Sequence, residues 1–169
     1  LLVPGFVAAQ EAGKSDTKVE AAPIAVYHLD YVIRELDSGK VINQRKYSLS
    51  VEGSGRRESG HVRVGRRVPV AVAGTAAGPN PQYTYMDVGL NLDCNLQEQA
   101  DGLLLQTMVE MSSVVTGGEL AAPGVPVTRQ ARASMASLLT LGKPTVIGTL
   151  DDVDSTHTYQ IEVTATRMK

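Results

Sequence analysis

Tryptophan is absent from this sequence, phenylalanine occurs once, and aromatic residues make up 4% of its 169 positions. A core must therefore be assembled from Val, Leu, Ile, Met, Ala and Tyr. The single cysteine, Cys94, excludes an internal disulfide. It falls on the apolar side of an alternating run, where a thiol behaves as a small buried hydrophobe. A large excess of one charge sign is missing too: a net charge of -2 leaves no broad basic footprint for nucleic acid. Arg56, Arg57, Arg63, Arg66 and Arg67 form a local basic cluster, which reads as a solvated loop. No apolar run approaches the ~18 residues that a membrane-spanning helix requires, so any membrane association is expected without one.

What is present is alternation. Over residues 84–96, Thr84, Met86, Val88, Leu90, Leu92, Cys94 and Leu96 share one parity, and Tyr85, Asp87, Gly89, Asn91, Asp93 and Asn95 the other. A period of two predicts a strand with one dry and one wet face. A polar break at 97–102 leads to a second run with Leu103, Leu105, Val109, Met111 and Val115 on one parity, making an antiparallel hairpin. A similar pair of arms, to about Leu36 and then 41–51, flanks Asp37-Ser38-Gly39-Lys40, a turn sequence. Further strands are expected over 61–72, where Gly65 and Pro69 suggest an edge or a bulge, and over 127–139, 144–150 and 157–168. Residues 131–141 alone also fit a helical period. About eight strands in hairpin succession predict an all-β fold, an antiparallel β-sandwich or barrel-like arrangement.

Residues 1–9, apolar and ending in Val7-Ala8-Ala9, read as a signal-peptide remnant cleaved before Gln10. Residues 10–22 are small and polar, a flexible linker, and 23–169 form the β-domain. Export to the periplasm or outer membrane follows as the expected location.

Four segments carry a family resemblance. Val64-Gly65-Arg66-Arg67-Val68-Pro69-Val70 looks like a V-G-x-x-V-P segment. Tyr83-Thr84-Tyr85-Met86-Asp87-Val88-Gly89-Leu90-Asn91-Leu92 looks like a Y-x-D-V-G-aliphatic-x-L strand. Glu110-Met111-Ser112-Ser113-Val114 is similar to an E-x-S-S-V strand end, and Gly142-Lys143-Pro144-Thr145-Val146-Ile147-Gly148 to a G-x-x-V-V-I-G-G strand. In this order the chain resembles the core β-domain of the bacterial secretins, the outer-membrane channels of type II and type III secretion and type IV pili. Thr149 stands where the family has a second Gly, and a strand at 157–168 where it has a closing segment rich in Leu, Pro and Gly. The hairpin at 27–51 takes the place of the family's ring-building domains. Extra strands at both ends suggest capped sheet edges.

The resemblance implies a non-enzymatic envelope protein with a structural or assembly role in protein secretion, acting by strand association. Its partners are expected to be further copies of itself, as a homo-oligomer, or another envelope protein. The residues expected to hold the fold and any pairing edge are Val68, Pro69, Tyr85, Asp87, Gly89, Ser112, Ser113, Gly142 and Gly148. The alternative is a monomeric periplasmic binding sandwich using the loops at 53–60, 73–81 and 116–126.

Chemistry is sparse in the sequence. His28, His61 and His157 lack metal-ligand spacing and read as ordinary exposed strand positions, although pairing of the first and last strands would allow His28 and His157 to approach. Asp151, Asp152 and Asp154 read as a solvated turn rather than a cation loop. Ser112 and Ser113 have no recognisable base. No catalytic residue, cofactor or metal ligand is expected.

Overall fold

The computed structural model of the chain describes residues 25–54, 60–71, 82–115, 127–152 and 155–169. The expected signal-peptide remnant, the linker and most of the three loops lie outside the described residues. Within them the structure is all-β, with eight strands: β1 Val26–Asp37, β2 Lys40–Glu52, β3 Gly60–Ala71, β4 Tyr83–Gln99, β5 Gly102–Val115, β6 Val127–Leu139, β7 Thr145–Asp151 and β8 His157–Arg167. Residues 131–139 are strand, not helix: they pair residue by residue with β5, and their alternate side chains turn toward the interior. No described helix is long and apolar enough to cross a membrane.

The strands form two four-stranded antiparallel sheets, ordered β2-β1-β8-β7 and β3-β4-β5-β6. Every strand thus neighbours its sequence neighbours, apart from two corners where β2 passes to β3 and β6 to β7 between sheets. Local hairpins are short: Ser38 (φ 48°) and Gly39 (φ 81°) make the two-residue turn between β1 and β2. The terminal strands do not cap edges as expected. β1 and β8 pair along their length, Tyr27 opposite Arg167 through Asp37 opposite His157, and form the centre of the first sheet.

The sheets face each other across one core. Leu29, Tyr31, Leu92, Val109, Ile161 and Val163 are fully buried there. Burying each such side chain contributes roughly 1.5–3 kcal/mol relative to leaving it in water. Polar contacts also join the sheets through the core: the hydroxyls of Tyr31 and Thr107 share a 2.8 Å hydrogen bond. Cys94 is buried beside them, as its parity predicts; burial raises its thiol pKa. At the β2–β3 corner the Tyr27 hydroxyl donates to the Glu98 carboxylate. At the β6–β7 corner Gly148 lies against Met135: a Cβ there would sit 2.1 Å from the Met135 sulfur, so a larger residue would require the Met135 side chain to move.

Candidate functional site

The second sheet forks. Pairing of β4 with β5 stops at Leu90 opposite Met111. Beyond it, β4 continues with β3 alone, Gly89 opposite Gly65 through Tyr83 opposite Ala71. β5 continues with β6 alone, Ser112 opposite Gln130 through Val115 opposite Val127. Gly89 makes the fork possible. Its φ is +152°, and a Cβ would lie 2.1 Å from the Val64 carbonyl oxygen. Its N–H, which has lost a strand partner, donates to Ser112 Oγ at 3.0 Å. Past the fork Thr128 Oγ1 donates to Met86 Sδ at 2.9 Å, which ties the β3–β4 arm to β6.

Six of the residues singled out by sequence meet on or beside this arm. Val68 and Pro69 lie on β3, opposite Met86 and Tyr85. β3 is an edge strand with continuous register, so Pro69 sits at an edge without a bulge. Asp87 Oδ1 accepts from Arg67 Nε at 3.1 Å, and the Arg67 guanidinium lies 5.9 Å from the Tyr85 ring centroid. Arg63, Arg66 and Arg67 are therefore strand residues, not a loop; Arg56 and Arg57 lie outside the described residues. Gly89 and Ser112 form the fork itself. Ser113 has the opposite parity and turns to the space between the sheets. Gly142 and Gly148 are elsewhere, at the β6–β7 corner, where Gly142 N–H donates to the Ala165 carbonyl at 2.8 Å.

Below the core the interior changes character. Inward positions on β1 run Tyr27, Leu29, Tyr31, Ile33 and then Glu35. On β2 they run Val51, Leu49, Tyr47 and then Arg45 and Asn43; cross-strand pairing sets Arg45 beside Ile33 and Asn43 beside Glu35. On β8, Ile161 gives way to Tyr159 and His157. On the facing sheet, Met111 and Ala131 give way to Ser113 and Arg129. Because the change falls at one level in five strands, the sheets part there around a cleft of ≈ 840 Å³.

Hydrogen bonds commit the acids of the cleft. Glu35 Oε1 lies 3.0 Å from His157 Nδ1 and accepts from the Tyr159 hydroxyl at 3.3 Å; Oε2 accepts from Asn43 at 3.4 Å. Burial first, then the Glu35 charge, holds the Tyr159 phenol above its ordinary pKa. Asp151 accepts from Thr158 at 2.9 Å. Asp152 accepts from Ser155 at 2.7 Å and lies 3.7 Å from Arg129. A hydrogen bond from Thr156 first, opposed by burial, keeps nearby Asp37 below the usual carboxylate range.

The register separates the two histidines that sequence had allowed to approach. His28 stands opposite Thr166 and His157 opposite Asp37, at opposite ends of the paired strands. His157 is half-buried on Glu35 rather than an ordinary exposed position. Sequence reasoning missed Glu35, Arg45 and Tyr159. Their signal was polar residues interrupting the dry parity at matching distances from the turns. Among the described residues no group of three His, Cys, Asp or Glu side chains is placed to hold a metal ion.

The fold is an antiparallel meander closed by β1–β8 pairing, with one sheet forked at a glycine, and it is similar to the fold of secretin β-domains. The type II secretin GspD from enteropathogenic Escherichia coli is similar over 87% of this chain and 70% of its own, at TM-score 0.53 and 11% identity. GspD in the enterotoxigenic E. coli pilotin–secretin AspS–GspD complex matches over 87% and 50%, at TM-score 0.53 and 12% identity. InvG, the Salmonella SPI-1 type III injectisome secretin, matches over 86% of this chain at TM-score 0.45 and 10% identity, and this chain spans only 64% of it. The fold is thus shared with the GspD chains. No protein-family model matches the chain, and no curated protein matches it.

Proposed function

We propose that this chain is a non-enzymatic, exported envelope protein of the periplasm or outer membrane, whose secretin-like domain has a structural role in assembly through strand association. The observation that carries the reading is the set of open edges. Among the described residues β2, β7, β3 and β6 each have one neighbour, and beyond the fork β4 also presents an unpaired side. Unpaired N–H and C=O rows are templates for another strand. The arm adds exposed apolar surface at Val64, Tyr83 and Tyr85. The fold shared with GspD supports the secretion setting, and the AspS–GspD complex supports an envelope partner beside self-association.

Light scattering of the purified chain in detergent and in plain buffer tests the proposal. Defined assemblies much larger than the 18.0 kDa chain, weakened by Tyr85→Lys on the arm, are the expected result. A monomer at all concentrations in both media, with no envelope protein retained by it, overturns the reading.

A further inference from the structure

We propose that the cleft between the sheets binds an amphiphilic anion, with a carboxylate or phosphate head on Arg45 and an apolar chain along the cleft floor. The size fits: ≈ 840 Å³ lies within the range of small-molecule pockets. The floor is apolar, formed by Ile33, Tyr47, Leu90, Met111 and Leu150. The polar complement follows from how the charges are spent. Glu35, Asp151 and Asp152 are each engaged by neighbouring donors. Arg45, also lining the cleft, makes no ion pair or side-chain hydrogen bond among the described residues. Arg45 is exposed at the cleft mouth, and its guanidinium, with five donors and no acceptor, is positioned to exchange water for an anion entering the cleft. Arg45 stands beside Ile33 in the β1–β2 register, which places head-group and chain recognition side by side. This inference concerns the isolated domain and does not depend on assembly.

Isothermal titration of the full chain in plain buffer, with each probe below its critical micelle concentration, tests it. Dodecanoate and dodecyl phosphate distinguish the two head groups; dodecyltrimethylammonium is the cationic control. One anion per chain is expected to bind, and the cation not to. Arg45→Gln, an exposed edge-strand change, should weaken anion binding at least about tenfold, the scale of one charge-assisted pair. Ala131→Trp should block it by filling the cleft. The proposal is overturned if neither anion binds, if the cation binds equally well, or if Arg45→Gln, folded by circular dichroism, binds the anions unchanged.

Discussion

The hydrogen bond between Tyr31 and Thr107 joins the two sheets inside the core, and its removal in halves should cost more than its removal whole. Both residues are almost without solvent exposure, 0% and 2% respectively, so water cannot replace a lost partner. Tyr31→Phe deletes one hydroxyl and leaves Thr107 Oγ1 buried and unmatched. The expected cost is about 1–3 kcal/mol, the desolvation penalty of an orphaned polar group. Thr107→Val is nearly isosteric and orphans the phenol instead. The Cys94 thiol remains beside that phenol as a weaker partner, so this cost should fall at the lower end. In the double variant both polar groups are gone and the shape is kept, which is close to neutral. Urea unfolding of the four proteins, with unchanged m-values, reads these differences. The double variant should be more stable than the sum of the singles predicts by about 1 kcal/mol or more. Additive singles within about 0.3 kcal/mol would show that the sheets do not meet through this bond.

Gly89→Ala places a Cβ 2.1 Å from the Val64 carbonyl at a φ of +152°, so a loss of about 1–3 kcal/mol or more is expected in denaturant melts, with hydrogen exchange accelerated first in β3. Leu92→Ala, at a site with 0% exposure, should cost about 3–5 kcal/mol, whereas Tyr85→Ala on the same strand, 62% exposed, should stay within about 0.5 kcal/mol. Alkali should destabilise the fold. Burial raises the pKa of both Cys94 and Tyr31, whereas in the unfolded chain both ionise at ordinary values. Their contribution is full below about pH 8.5 and is lost as pH rises, by up to about 1.4 kcal/mol per pH unit for each group. Cys94→Ala should move the onset of this loss in pH-dependent urea melts toward the tyrosine range, near pH 10, and an unmoved onset refutes the assignment.

Alternation along residues 84–96 was enough to say which side of β4 is dry, and the Ser38-Gly39 turn was legible as punctuation. Cys94 was legible as buried because parity alone assigns it. Parity does not say whether anything covers a face. Thr84 and Met86 share the dry parity of Leu90 and Leu92, yet Thr84 is exposed and Met86 only half-buried, because the arm beyond Gly89 leaves the facing sheet behind. The motif residues were found in sequence, but not the fork that unites Gly89 with Ser112 across 23 positions.

What the sequence determined by itself was local: strand, turn, and the dry or wet side of each, since these follow from side-chain period and backbone preference between near neighbours. Pairing β1 with β8, forking the second sheet and gathering Glu35, His157 and Tyr159 beside Arg45 were decided only by tertiary structure. Register between strands more than a hundred residues apart is set by how two whole faces pack, and no local period encodes it.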